Sequence, residues 1–236
     1  MSKVKKFSVL LVLVFLAAGF FLACKKGEVS HDALDKDTSY AFGMLLASQL
    51  GELGVMGASF DYEALMEGFR AYNEAEETRL TPNQAMDKIN TAITQLQRLN
   101  DEQTWLEGEK NREEGEAYLA QNRERSGVIT TPSGLQYEII TQGNGEKPGP
   151  IDRVSVHYEG TFINGDIFDS SYMRGTPVEF GLDEVVAGWT EGLQLMNAGS
   201  TYRFVIPSDL AYGPGRPGIP PNSTLVFRVE LLSIVR

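Results

Sequence analysis

The sequence is short of the residues that most enzymes use for covalent or metal chemistry, with one cysteine and two histidines among 236 residues. Cys24 stands alone, so no disulfide can staple the chain, and an oxidising compartment neither helps nor harms it. His157 falls on the polar face of a strand pattern with no nucleophile paired to it, which reads as a solvated side chain rather than a general base. No metal-site, nucleophile or cofactor motif was found, so no cofactor is expected. Basic clusters are missing as well: 21 Lys and Arg stand against 32 Asp and Glu, for a net charge of −11. Phosphate binding rests on grouped cations, so nucleic acid is excluded as a partner. Low-complexity tracts are absent. With 42% hydrophobic and 22% charged residues, the chain has the composition of a folded protein of one or two domains.

The long apolar run is at the start. Lys3, Lys5 and Lys6 precede Phe7 to Ala23, which reads as a signal peptide over residues 1–23. Phe21-Leu22-Ala23-Cys24 resembles a bacterial lipobox, relaxed at Phe21. Cleavage before Cys24 would leave that residue to carry lipid; the alternative is an uncleaved signal anchor, for which the run is short of the ~20 residues a spanning helix needs. Both readings place the body outside the cytoplasm. Residues 24–36 then form a tether, whose Lys25 and Lys26 assist contact with an anionic membrane.

From Asp37 to about Arg125 the pattern is helical. Asp37 or Thr38 can cap a helix over Tyr40 to Leu50; Gly51, Gly54 and Gly57 break it from the next, which Asp61 caps. Thr81-Pro82-Asn83-Gln84 is a helix start with the elements of a capping box and Pro at the first position. Ile89, Ile93, Leu96 and Leu99 give the long helix that follows an apolar stripe in its first half, whereas Glu107 to Glu116 is polar on every side. The first half should therefore pack within the helical region and the second should cross solvent as an arm. Short amphipathic helices of this kind leave apolar faces with nothing to bury against in a monomer, and a homodimer through residues 37–100 would cover them.

Beyond Ser126-Gly127 the period changes to two. Thr131 to Gly134 is a turn, Leu135 to Thr141 a strand, and Gly143 to Pro150 a loop. Arg153 to Ile163 alternates, with Val154, Val156 and Tyr158 facing inward. Asn164-Gly165 makes a hairpin turn into Phe168-Asp169-Ser170-Ser171. Asp183 or Glu184 can cap one clear helix that aligns Val186, Trp189, Leu193 and Met196. Two further strands, Tyr202 to Ile206 and Thr224 to Ile234, flank a Gly/Pro loop and bring one apolar floor together.

The segments VSVHYEGTFINGDIFDSS, EVVAGWTEGLQLM, AYG and PGIPPNSTLVFRVELL occur in this order, and together they resemble the FKBP-type peptidyl-prolyl isomerases from about Gly127 to the end. AYLAQNRERSGVITTPSGLQY and the helices before it resemble the macrophage infectivity potentiator subgroup. The resemblance implies an α+β protein: an N-terminal all-helical dimerisation domain with a long linker helix over 37–126, then an FKBP domain over 127–236, a curled antiparallel sheet around one short helix. It implies two chains interlocked at their helices in a V. It also implies a proline pocket with Tyr158, Phe168, Asp169, Trp189, Tyr212 and Phe227 as catalytic residues. Arg174, Val178, Glu184, Val185, Val186 and Ile219 would bind substrate, with Asp169 and Arg174 a polar pair near the pocket and Glu184 offering mainly its backbone carbonyl. Val178 stands where a Phe is common, and the loop from Gly213 to Pro220 is short, with Arg216 in the region of a His.

Such a pocket needs no cofactor. The barrier to X-Pro rotation, ~20 kcal/mol, comes from amide resonance, and water favours the more dipolar planar form. An aromatic wall with one donor, the Tyr212 hydroxyl, would favour the twisted state. The expected protein is an exported lipoprotein, anchored by lipid on Cys24 and facing the periplasm or cell surface, that isomerises proline bonds in unfolded or exported polypeptides. Macrolides of the FK506 and rapamycin type are expected inhibitors. The contrasting reading is a chaperone or surface-interaction lipoprotein that binds proline segments without catalytic duty.

Overall fold

The structure, a computed structural model, describes residues 35–235; the expected signal peptide, Cys24 and nearly all of the expected tether lie outside them. The chain divides into two compact units, one ending at Glu52 and one running from Leu53.

The first unit carries most of helix α1, Lys36–Val55. Its capping carboxylate is Asp35, which accepts from the Thr38 amide at 2.7 Å and the Thr38 hydroxyl at 3.0 Å, so the cap lies ahead of Asp37 and Thr38. Tyr40, Phe42, Met44, Leu45 and Leu46 are all exposed. Gly51 and Gly54 do not break the helix. A single glycine in a helix costs only ~1 kcal/mol; what ends α1 is Gly57 at φ 88°, with the paired bonds Ala58 N to Leu53 O and Gly57 N to Gly54 O of a Schellman stop.

In the second unit, helix α2, Tyr62–Asn73, starts at Asp61, whose carboxylate accepts from Ala64 N. Helix α3, Pro82–Arg123, starts with both reciprocal bonds of a Thr81–Gln84 capping box. Its 42 residues make a rod of ~63 Å. Leu65, Met66, Phe69, Tyr72, Ile89 and Leu99 are exposed, and α3 has no buried residue before Gly108.

The far half of α3 departs from expectation. It does not cross solvent; Gly108, Gly115 and Asn122, seven residues apart on one face, are buried against the sheet and its last loop. Asn122 Nδ2 donates to Gln136 Oε1 at 2.7 Å, Arg203 donates to Asn122 Oδ1 and to the Tyr118 hydroxyl, and Gln136 donates to the Leu119 carbonyl. The stripe is built from absent and polar side chains rather than apolar ones, so hydrophobic periodicity passes over it.

The sheet has seven strands: β1 Val128–Thr130, β2 Gln136–Thr141, β3 Arg153–Phe162, β4 Ile167–Ser170, β5 Val178–Gly181, β6 Thr201–Ile206 and β7 Leu225–Val235. They run β1-β2-β6-β7-β3-β4, with β5 also on β3. Every pairing is antiparallel. Phe204 lies opposite Phe227, and the inward set Tyr202, Phe204, Ile206, Leu225, Phe227, Val229 and Leu231 is buried, as the alternation predicts. Strand β6 is buried on its other face too, Val205 being 1% exposed, on the side where Gln136 and Arg203 bond to α3.

A one-turn helix, α4, Ser171–Arg174, follows β4. Helix α5, Ala187–Leu195, lies in the hollow of the sheet with Gly192 against the Phe204 ring. Neither Asp183 nor Glu184 caps it. Its N-cap position is Val186, without a side-chain bond; the Glu184 carboxylate instead accepts from Gly181 N at 2.9 Å and pairs with Arg153 at 3.3 Å.

Candidate active site

Five elements converge on a cavity of about 250 Å³. Tyr158 comes from β3, Phe168 and Asp169 from β4, Val178 and Phe180 from β5, and Phe227 from β7. Glu184, Val185 and Val186 lead into α5, which contributes Trp189, while Tyr212 and Arg216 come from the loop between β6 and β7.

The rings hold one another edge to face. Trp189 meets Tyr158 and Phe227 at 5.2 Å between centroids, with interplanar angles of 88° and 87°, and Phe168 meets Phe227 at 5.5 Å and 90°. Such pairs contribute ~0.5–1.5 kcal/mol each beyond their burial. Phe180 tilts against Trp189 at 5.3 Å. Gly160 makes this packing possible, because a Cβ there would lie 2.7 Å from both Phe168 Cζ and Phe227 Cε1.

One corner of the wall is polar. The Asp169 carboxylate accepts from the Tyr158 hydroxyl and from Arg174, which also donates to the Tyr158 oxygen at 3.0 Å. Helix α4 presents Arg174, with Ser170 accepting from Met173 N and Gly175 closing the turn at φ 72°. Partial burial pushes the Asp169 carboxyl up, but bonds from Tyr158 and Arg174 outweigh it and hold the group below the ordinary carboxylate value. Burial, with Asp169 as acceptor, pushes the Tyr158 hydroxyl above its ordinary value.

Tyr212 differs from Tyr158. Its hydroxyl has no hydrogen-bond partner among the described residues, and its ring carries the Arg216 guanidinium 4.2 Å from the centroid. Of the charged groups on the wall, Asp169 is paired with Arg174 and Glu184 with Arg153; Arg216 has no carboxylate partner among the described residues.

Ten of the twelve residues expected in the pocket line this cavity. Arg174 stands behind Asp169 and Tyr158, and Ile219, 5% exposed, belongs to the core beneath the loop. Phe180 was not foreseen, although Val178 and Phe180 alternate about Glu179 and so share a face. His157 is not a solvated side chain: its Nδ1 lies 2.9 Å from Ser171 Oγ and its ring stacks on Tyr172 at 4.7 Å. The short helix α4, unforeseen, brings both partners there. Among the described residues no group of three His, Cys, Asp or Glu side chains is placed to hold a metal.

Comparison with known proteins gives two family matches. The family described as FKBP-type peptidyl-prolyl cis-trans isomerase matches residues 144–232, and the domain amino terminal to FKBP-type peptidyl-prolyl isomerase matches residues 35–139. A probable FKBP-type peptidyl-prolyl cis-trans isomerase FkpA of Neisseria meningitidis is 40% identical over 84% of this chain and 74% of its own length. The outer membrane protein MIP of Legionella longbeachae is 38% identical over 85% of this chain and 86% of its own. The crystal structure of FkpA from Escherichia coli superposes with a TM-score of 0.67 at 35% identity, covering 88% of this chain and 98% of that one.

Proposed function

The chain belongs to the FKBP-type peptidyl-prolyl cis-trans isomerases and accelerates rotation about X-Pro bonds, and on that premise we propose that the aromatic cavity between β3, β4, β7 and α5 is where the proline ring is held. The carrying observation is an aromatic wall with an unengaged donor at its edge, the Tyr212 hydroxyl, beside the Arg216 guanidinium. Trp189 forms the floor, with Tyr158, Phe168 and Phe227 around it and Val178, Val185 and Val186 completing the wall. A planar amide has the larger dipole and loses more by leaving water than the twisted state does, so a dry wall favours rotation. Tyr212 donates to the substrate carbonyl while the chain turns. Asp169, fixed by Arg174 and Tyr158, sets the shape and polarity of the opposite corner, Ile219 supports the loop from below, and Glu184 offers its backbone carbonyl. Macrolides of the FK506 and rapamycin type would compete for the same cavity.

The protein works as a homodimer through residues 37–100. The exposed apolar side chains of α2 and the first half of α3 support this, as does a hollow of about 410 Å³ lined by Leu53, Ala58, Phe60, Ile89, Ile93, Leu96 and Leu99, since contiguous exposed apolar surface marks an interaction site. Residues 1–23 direct export and Cys24 carries lipid, placing the enzyme at a membrane surface with unfolded exported chains as substrates. By chain order the sheet of the catalytic domain begins just after Gly127. Turnover of a proline tetrapeptide in a protease-coupled assay, with a macrolide as competitor, tests the site: inhibition with matching loss of turnover is expected, and turnover unaffected by a macrolide bound one to one would contradict it.

A further inference from the structure

The loop that carries Tyr212 is bonded mainly to itself. From Gly213 to Asn222 it reads GPGRPGIPPN, and its backbone bonds are local: Gly213 N to Ser208 O, Gly215 N to Tyr212 O, the two bonds of the Arg216–Ile219 bridge, and Asn222 N to Gly213 O at 2.8 Å. Ile219 is its one residue buried in the core. A loop whose backbone bonds are all local can shift as a unit, yet a donor that must meet a turning amide has to stay within a few tenths of an ångström.

Helix α3 supplies the missing restraint. Asn111 Nδ2 donates to the Pro221 carbonyl at 2.9 Å, and Asn222 Nδ2 donates to the Gly108 carbonyl at 3.1 Å. Asn222 sits at φ 55°, a left-handed turn that aims its amide at the helix. The absence of side chains lets the two backbones approach: a Cβ at Gly108 would lie 3.1 Å from Asn222 Nδ2, and one at Gly115 would lie 2.4 Å from Thr224 Oγ1. The helix is in turn fixed on the sheet by the buried Asn122 and Gln136 with the half-buried Arg203 and Tyr118. The base of the loop is thus tied to a stiff rod, and because Asn222 N also bonds Gly213 O, that tie reaches the residue next to Tyr212.

We propose that the last five turns of α3 belong to the catalytic unit, with Asn111 and Asn222 as positioning residues that hold the Tyr212 loop in register with the pocket. This rests on the cavity described above being the proline site. The physical catalytic unit then begins before Gly108, although the change of periodicity in the chain comes only at Gly127.

The test uses the full chain with two single changes. Asn111→Ala removes one donor to the loop, and Asn222→Gly removes the other while glycine keeps the positive φ and the amide bond to Gly213 without strain. Each should lower kcat for a proline tetrapeptide about three- to tenfold, the loss of roughly one hydrogen bond, with little change in KM or Tm. Amide exchange should quicken at Gly215, Ile219 and Asn222 and stay unchanged in β3 and β7, and Asn111→Gln, which keeps the donor, should restore part of kcat. Unchanged kcat in both variants overturns the proposal, as does a fall in kcat matched by a fall in Tm and by faster exchange throughout the sheet. Tyr212→Phe separates the two levels: if it is slowed while the positioning variants are normal, the proline site stands and the bracing fails; if it too is normal, the site assignment itself fails.

Discussion

Removing one oxygen from the pocket should slow the enzyme without loosening it. In Tyr212→Phe the ring remains, with its place in the wall and its stacking under Arg216, an interaction of ~0.5–1 kcal/mol that a phenyl ring retains in large part. The lost hydroxyl has no protein partner among the described residues, so nothing in the folded enzyme is left unsatisfied and stability should change by less than ~0.5 kcal/mol. What disappears is a bond made to substrate. A single neutral hydrogen bond is worth a net ~0.5–1.5 kcal/mol, which at 1.36 kcal/mol per tenfold gives a fall in kcat/KM of about two- to twelvefold. Protease-coupled turnover of a proline tetrapeptide reads the rate, and thermal unfolding of the same samples reads the stability. Equal turnover by both proteins would refute the reasoning, and so would a fall in Tm large enough to account for the lost rate.

Four further outcomes are expected. Gly192→Ala should destabilise the protein by ~1–3 kcal/mol through overpacking, since its Cβ would lie 2.7 Å from Cε1 of the fully buried Phe204; an unchanged urea midpoint would contradict the packing. The Asp169 cluster should stabilise the fold above the ordinary carboxyl pKa of 3.8, because its folded value is depressed, and lose that contribution as pH falls through the lower folded value. At the alkaline end the raised Tyr158 value keeps its proton through the ordinary 10.0 and loses the contribution above it; a stability gap between wild type and Asp169→Asn that is flat from acid to neutral pH would be inconsistent with this. The chain from Lys25 onward should scatter light as a dimer and Phe69→Glu as a monomer, whereas a monomeric wild type would end the dimer reading. Cys24→Ser should abolish fatty-acid labelling and release the protein from the membrane fraction; equal labelling would remove the lipobox.

Single pocket positions were legible because strand alternation and helix periodicity are local signals: Tyr158 and Phe227 occupy inward positions of period-two runs, and Trp189 lies on the apolar face of a helix. Their gathering into one pocket with Phe168, Asp169 and Tyr212 was implied by the resemblance to the FKBP motifs and not by the pattern. The Thr81 capping box could be read from four consecutive residues. What escaped depends on contacts between distant segments. Gly108, Gly115 and Asn122 carry no hydrophobic signal, and their role is apparent only once Pro221, Asn222 and Thr224 lie beside them. His157 was misread for a related reason, since the turn of helix that brings Ser171 and Tyr172 against it is only four residues long. Asp183 and Glu184 have the chemistry of caps, but Glu184 is engaged by Gly181 and Arg153 before α5 begins.

The central claim is that the proline ring turns over in the cavity floored by Trp189. Titrating the isotope-labelled full chain with a proline tetrapeptide, while following both partners by NMR, tests it directly. The account predicts exchange broadening between the cis and trans signals of the peptide, and shifts in the protein confined to Val186, the Trp189 indole, Tyr212 and their neighbours, saturating at the same peptide concentration as turnover. Accelerated exchange with those signals unmoved would contradict it.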